Sequence, residues 1–272
     1  SIRLLKGKYP VRTCYSNLST SSSKACDRAT QSRITEPIQQ SAKVLRHLQF
    51  TKRMSFEQGL SIQEQFVRAN LDMKKLQSKI EQKLIALDDE YNGNATINSK
   101  EKEILDRIME MKPNPMVLTF EFEPTYTGGK RIKKTITPEK ISEFENFEPK
   151  NQIENPKPKF VQIERGGEIT FHGPGQMVAY VIIDLKAFKT FPARCLISAI
   201  ETATKNTLGH SPIGENHSIL NIETKRVGDK TGVWALNDEK IASIGVHVRR
   251  SITSHGVCIN VYPDLSYLDS FE

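Results

Sequence analysis

The chain has 272 residues, of which 37% are hydrophobic, and its formal net charge is +7. The positive charge is concentrated at one end, because residues 1–54 hold 11 Lys and Arg against 2 Asp and Glu, while residues 55–272 hold 28 against 30. A nearly neutral body argues against nucleic-acid binding, and the lack of an apolar run near the ~18 residues of a membrane span argues against a membrane protein.

The basic N-terminal stretch has the composition of a mitochondrial transit peptide, since no Asp or Glu precedes Asp27 and its cations lie among serines and threonines. A disordered basic tail would have the same composition. We predict a targeting segment with a disordered linker over residues 1–44, removed by cleavage between Ser19 and Ser41. Residues 45–272 are enough for one domain with a substantial core.

The first helix is predicted to begin after Ser55, which can form a capping box with Gln58. The apolar residues that follow recur at helical spacing and predict a stripe that faces the core. This stripe consists of Phe56, Leu60, Val67 and Leu71.

Two polar stretches are predicted as surface insertions. Residues near 76–112 are charged and are broken at Tyr91–Ser99, which predicts a pair of helices on the surface. Residues 130–159 are polar and carry prolines, which predicts a long loop over one side of the site.

The densest run of functional residue types is RGGEITFHGPGQMVAYVIIDL, residues 165–185. Its glycines allow the main chain to approach a ligand closely, and Val178–Ile183 predicts a strand that is buried on both faces. A plain turn between two strands is the alternative, but Arg165 and His172 favour a binding site. Neither a dinucleotide fingerprint nor a phosphate loop occurs, so bound NAD or ATP is not predicted.

Further along, Pro192–Gly209 predicts an amphipathic helix, and Gly232–Leu265 predicts a hairpin that turns at Asn237–Asp238 and leads into another strand. Lys240 opens the second arm of the hairpin. A period of two places it on the face of Ala242, which looks inward. A lysine held there can transfer protons or stabilise a thiolate. At a strand end it can instead extend into water.

Four cysteines occur at positions 14, 26, 195 and 258, without a C-x-x-C pair or a His/Cys spacing suited to metal ligands. We therefore expect no zinc site or other metal and no disulfide framework. Reduced thiols are typical of a reducing compartment.

Three blocks, RGGEITFHGPGQ, KIASIGVHV and TSHGVCINVYPDLSYLD, resemble the signatures of the lipoyl(octanoyl) transferase family in sequence, order and spacing. Two earlier blocks, from Met54 and Val117, resemble the family's first helix and the strand before its pocket. The resemblance spans residues 45–272 with interruptions. It implies an α/β fold, with a curved mixed sheet and flanking helices, like that of biotin and lipoate-protein ligases.

The resemblance also implies a reaction in the mitochondrial matrix. Octanoyl would pass from acyl carrier protein to a lysine on the lipoyl domains of 2-oxoacid dehydrogenase E2 subunits and on the glycine cleavage H protein, without a cofactor. Lys240 would be the catalytic lysine beside the nucleophile. The substrate-binding residues that it implies are Arg165, Gly166, Gly167, Glu168, Ile169, Thr170, Phe171, His172, Ser243, Ile244, Gly245, Gly256, Val257 and Cys258.

In the family the nucleophile is a cysteine that is acylated as a thioester and lies shortly after a block like DLSYLD. The chain begins at Ser1 and stops at Glu272, so we expect it to be truncated before its nucleophile. Takeover by Cys258 or Cys195 is the alternative. However, Cys258 stands where the family has a small apolar residue, and Cys195 falls on a predicted helix. A second departure is Phe122–Glu123, where many members have His-Pro.

Two other functions remain open at the level of sequence. An ATP-dependent lipoate or biotin ligase would share the fold class, form an acyl-adenylate and need Mg²⁺. A non-catalytic protein that binds acyl groups or acyl carrier protein would account for a missing cysteine.

Overall fold

The computed structural model describes residues 2–3, 35–91, 97–149, 155–210, 212–213, 218–228 and 230–270. Most of the predicted targeting segment lies outside these residues. The helices are α1 (Phe56–Glu90), α2 (Ser99–Glu110), α3 (Pro138–Glu145), α4 (Ala193–His210) and α5 (Ser266–Asp269), with 3-10 turns at Gln40–Lys43 and Leu185–Ala187. The strands are β1 (Ile2–Arg3), β2 (Arg46–Phe50), β3 (Met116–Phe120), β4 (Thr125–Gly128), β5 (Lys159–Gln162), β6 (Ile169–His172), β7 (Gln176–Ile182), β8 (Pro212–Ile213), β9 (Ser218–Ile219), β10 (Thr224–Val227), β11 (Lys230–Ala235), β12 (Lys240–Arg249) and β13 (Ile252–Asn260).

The main sheet has eight strands in the order β1-β2-β3-β7-β13-β12-β11-β10. It is mixed, since β2 and β3 are parallel whereas the other neighbours are antiparallel. A second sheet of three strands has the order β5-β4-β6, and β8 pairs with β9. Helices flank the sheets, which confirms the predicted mixed α/β class. None of the helices in the described ranges is long and apolar enough to cross a membrane.

Helix α1 begins as predicted. The Ser55 hydroxyl accepts from the Gln58 amide at 3.3 Å, and the Ser55 amide donates to the Gln58 side chain at 3.1 Å, which completes the capping box. Its first turns bury Phe56 and Val67 in the core. The helix continues without a break to Glu90, so the predicted first helix and the first member of the surface pair are one element.

Both faces of the main sheet are covered. On one face, Phe56 and Val67 of α1 pack against a cluster that includes Tyr180 of β7. On the other face, Leu196 of α4 packs against a cluster that includes Ala179 of β7. Strand β7 therefore contributes to both layers, which confirms the strand predicted from the apolar run.

The small sheet is held by an aromatic cluster. The Phe171 ring stacks on Tyr267 of α5 with 4.4 Å between centroids, and Tyr126 stacks on Phe144 at 4.7 Å. Phe144 belongs to α3, which lies inside the stretch predicted as a loop. The loop prediction is wrong over these residues, because the Thr137 side chain caps a helix there and Phe144 anchors it.

Candidate active site

A cavity of about 840 Å³ lies between the glycine-rich segment after β5 and strands β7, β12 and β13. That volume is within the usual range of small-molecule pockets. The cavity brings together nearly every residue predicted for the site. Its lining includes Arg165, Gly166, Gly167, Glu168, Ile169, Thr170, His172, Lys240, Ser243, Ile244, Gly245, Gly256, Val257 and Cys258. Phe171 does not line it, because its ring is buried in the aromatic cluster.

Two glycines are required by the backbone geometry of this wall. Gly167 has a φ of 98°, a conformation that side chains disfavour. At Gly245, a Cβ atom would lie 2.9 Å from Cδ of Arg165. The glycine in β12 therefore makes room for the arginine that crosses the cavity wall.

Arg165 is buried, with 7% of its surface exposed. Its guanidinium donates to the Thr127 carbonyl at 3.1 Å, to the Thr127 hydroxyl at 2.9 Å and to the Gly166 carbonyl at 3.0 Å. Burial lowers its pKa to about 10, so Arg165 remains a cation near neutral pH. These bonds tie the glycine-rich segment to β4 of the small sheet.

We call one part of the cavity the polar floor; its residues are Arg165, His172, Tyr180, His255 and Cys258, all of them buried. Burial, assisted by the nearby Arg165 charge, lowers the pKa of His172 and of His255 to about 3. Burial raises the pKa of Cys258 to about 12, although Arg165 opposes that change. At neutral pH both imidazoles and the thiol are therefore uncharged.

Two atoms of the floor lack hydrogen-bond partners among the described residues: Nδ1 of His172 and the hydroxyl of Tyr180. The His172 ring is fixed by stacking on Phe56, with 5.1 Å between centroids. Buried polar atoms are almost always satisfied in native proteins. The two atoms therefore mark the floor as a place where a polar ligand atom can be bound.

Lys240 faces the cavity because of a β-bulge. Val233 of β11 lies opposite Ala242 of β12, yet Trp234 lies opposite Lys240, so one step along β11 matches two along β12. Directly paired residues share a face of the sheet. Lys240 therefore lies with Trp234 on the cavity side, while Ala242 lies with Val233 in the core. The prediction that Lys240 shares the face of Ala242 is wrong, because a strict period of two does not continue through a bulge.

The opening of the cavity carries exposed charges. We call Arg131, Lys230 and Lys240 the cationic mouth, since all three are exposed and line the cavity. Glu168 also lines it and lies 3.9 Å from Arg131. Within the described part of the chain, no group of three or more His, Cys, Asp or Glu residues could hold a metal ion.

Comparison with known proteins identifies the family. The family model for the lipoyl protein ligase A/B catalytic domain matches residues 95–272. The mitochondrial octanoyltransferase of Saccharomyces cerevisiae is 62% identical over 241 residues, covering 88% of this chain and 73% of that protein. The mitochondrial octanoyltransferase of Kluyveromyces lactis is 58% identical over 245 residues, covering 90% of this chain and 74% of that protein.

The chain belongs to the octanoyltransferase family. It is an enzyme of the mitochondrion that transfers octanoyl groups in protein lipoylation. Among solved structures, lipoate-protein ligase A bound with ATP overlaps this octanoyltransferase with a TM-score of 0.38 and 14% identity, over 58% of each chain.

Several residues of the octanoyltransferase cavity were not predicted. Tyr180 lies within the apolar run, so the sequence pattern predicts a core residue. His255 lies in a stretch of small residues and was not singled out. Trp234, Arg131 and Lys230 enter the cavity only because β11 and the segment after β4 are brought beside it. For Trp234 a signal existed, since it lies close to Lys240 across the predicted turn.

Phe122, where the sequence departs from the family pattern, is fully buried beside the floor. Its ring packs edge-on against Phe56 at 5.0 Å and lies 6.4 Å from His172. The aromatic side chain supports the ring of His172 from a second side.

Proposed function

We propose that the enzyme takes octanoyl from an acyl carrier protein and delivers it to a lysine of a lipoyl domain through a cysteine thioester. The observation that carries this proposal is one cavity that combines a buried floor, whose histidines and thiol are uncharged, with an exposed cationic mouth that contains Lys240. An acyl chain fits among apolar and neutral groups, whereas thiolate and amine chemistry needs a nearby cation or base.

The reaction balances without a cofactor. In the first half-reaction the enzyme thiol loses its proton, its sulfur bonds to the acyl carbonyl, and the carrier thiol leaves with a proton. In the second, the amine of the acceptor lysine attacks the thioester, the enzyme thiol is released, and the amine gives up its extra proton. We assign Lys240 to stabilise the thiolate as an ammonium in the first step. In the second step it passes its own proton to the departing sulfur and then accepts the proton that the attacking amine loses.

The nucleophile is proposed to be a cysteine other than Cys195 and Cys258. Cys258 is buried, and its pKa of about 12 leaves almost no thiolate at neutral pH. Cys195 lies on α4 and is not part of the cavity lining.

The proposed donor matches the cationic mouth. An acyl carrier protein presents its acyl group on a phosphate-linked arm, and we propose that Arg131 and Lys230, which are exposed and line the cavity, pair with that phosphate. The acceptors are proposed to be the lipoyl domains of 2-oxoacid dehydrogenase E2 subunits and the glycine cleavage H protein. We further propose that residues 1–44 direct the protein to the matrix and that residues 45–272 form the catalytic domain.

Intact mass spectrometry tests the thioester. The 272-residue chain and the full-length natural protein are incubated with octanoyl-acyl carrier protein and weighed before and after hydroxylamine. We expect a hydroxylamine-labile octanoyl adduct on the full-length protein alone. An adduct on Cys195 or Cys258 would refute the assignment of the nucleophile, and an octanoyl-adenylate formed with ATP and Mg²⁺ would favour a ligase.

Replacement of Lys240 by Met tests the role of the ammonium. We expect kcat for octanoyl transfer to fall by about 10²- to 10⁴-fold, the usual contribution of a positioned acid or base. The melting temperature should stay close to that of the wild type, because Lys240 is exposed. A Lys240→Met variant that keeps the wild-type kcat contradicts the assignment.

A further inference from the structure

Three features of β11 and β12 fix the position of the Lys240 side chain: a bulge, the Trp234 ring and the absence of a side chain at Gly232. The bulge leaves Ile241 as the extra residue of β12 and brings Lys240 directly opposite Trp234. Bulges recur next to active sites, where they redirect a side chain. Here the bulge turns the lysine from the core face to the cavity face.

The Trp234 indole lies beneath the lysine ammonium. Nζ of Lys240 is 5.3 Å from the centroid of the ring, and Trp234 is buried with 6% of its surface exposed. This distance is within the range of a cation–π interaction, and Trp provides the strongest ring for it. The ring is itself buried, so it offers a rigid surface.

Gly232 makes this arrangement sterically possible. A Cβ atom on Gly232 would lie 2.9 Å from Cε of Lys240 and 2.6 Å from the Ala242 carbonyl. Because Gly232 has no side chain, the methylene groups of Lys240 can pass over it and the ammonium can reach the indole. The backbone adopts a φ of 141° at Gly232, which also favours glycine.

We propose that Trp234 is a positioning residue, whose ring holds the Lys240 ammonium against the cavity wall. This proposal rests on the role assigned above to Lys240. A lysine has a long, flexible stem that can adopt many conformations beside a bound thioester. Binding by the ring limits that freedom before the substrate arrives, which raises kcat rather than the affinity for substrate.

Fluorescence tests the contact separately from catalysis, because Trp234 is the single tryptophan of the 272 residues. Emission of this chain is recorded from neutral to alkaline pH for the wild type and for Lys240→Met. We expect a pH-dependent change in the wild type that is absent from the variant, since removal of the ammonium charge alters the field at the indole. Identical titrations of the two proteins would contradict the contact.

Kinetics test the positioning. In the full-length protein, Trp234→Leu should lower kcat about tenfold, the order of one cation–π contact, with little change in KM for the octanoyl donor. Trp234→Phe keeps a ring and should restore most of the rate. As a control for lost packing, Phe188→Leu removes a ring that pairs with Phe191 at 5.5 Å and does not line the cavity.

The outcomes separate this proposal from the function on which it rests. A Trp234→Leu variant with wild-type kcat would overturn the positioning role. So would a loss of rate that Phe188→Leu reproduces at equal melting temperature. If Lys240→Met retains its kcat, the catalytic role of the lysine fails, while the fluorescence titration still reports whether the indole and the ammonium are in contact.

Discussion

The polar floor and the cationic mouth belong to one cavity but differ in exposure to solvent, because the floor residues, Arg165 included, are buried and the mouth residues are exposed. At the floor, burial lowers the pKa of His172 and His255 to about 3 and raises the pKa of Cys258 to about 12, so these groups stay neutral. At the mouth, Arg131 and Lys240 are exposed to solvent.

This difference shows where proton transfer can take place. A general acid or base works best when its pKa is near the working pH, and the floor groups lie several units away from neutrality. Histidine is the usual first candidate for such a role, yet burial keeps His172 and His255 neutral at that pH. We therefore propose no proton transfer at the floor histidines, in line with the role proposed above for Lys240.

The largest expected effect concerns the thiol of Cys258. A pKa raised from 9.0 to about 12 reduces the thiolate fraction at pH 8 by about 10³-fold. Alkylation of Cys258 by iodoacetamide in the folded protein should therefore be about a thousandfold slower than in urea. Peptide mapping by mass spectrometry measures both rates. Equal rates would show that water reaches the floor, which would then not differ from the mouth in exposure to solvent.

The sequence was informative wherever a feature depends on near neighbours. The capping pair at Ser55 and Gln58 predicts the start of α1, and the Asn237–Asp238 turn predicts the hairpin, whose Asn237 side chain accepts from the Glu239 amide at 3.3 Å. The glycine-rich segment likewise predicts one wall of the cavity, because its residues are near neighbours in the sequence.

Features that depend on pairing between distant strands were not predictable. The bulge at Ile241 appears only in the register of β11 against β12, and it reverses the face on which Lys240 lies. Tyr180 and His255 become a floor because β7 pairs with β13. Phe171 alternates with Thr170 and His172 along β6, so its ring lies on the opposite face from the cavity, where it stacks on Tyr267.

The second expected effect is a loss of stability in acid. The folded pKa of each floor histidine is about 3, below the unfolded value of 6.5, so the unfolded state binds more protons between these limits. Stability is then complete above pH 6.5 and falls as the pH decreases, by about 1.4 kcal/mol per pH unit for each histidine. Urea unfolding between pH 4 and pH 8 measures this slope.

A single substitution isolates the contribution of one histidine. His255 has a φ of 60°, which asparagine tolerates, so His255→Asn keeps the backbone while removing the titrating ring. The variant should lose about 1.4 kcal/mol per pH unit from the slope below pH 6. An unchanged slope would mean that the ring is protonated in the folded protein and that the floor is not desolvated.

The smallest expected effect is at the mouth, where solvent and salt screen charges. Lys230→Glu or Arg131→Glu should raise KM for octanoyl-acyl carrier protein about tenfold in the full-length protein, with kcat nearly unchanged, and the difference should shrink as ionic strength rises. Lys79→Glu makes the same charge change on the exposed side of α1, away from the cavity, and serves as the control. An octanoyl thioester without a phosphate or carrier protein should show no difference between the variants. If Lys79→Glu raises KM equally, the net charge of the protein, rather than the charge at the mouth, attracts the carrier. The mouth would then differ from the floor only in the groups that take part in the reaction.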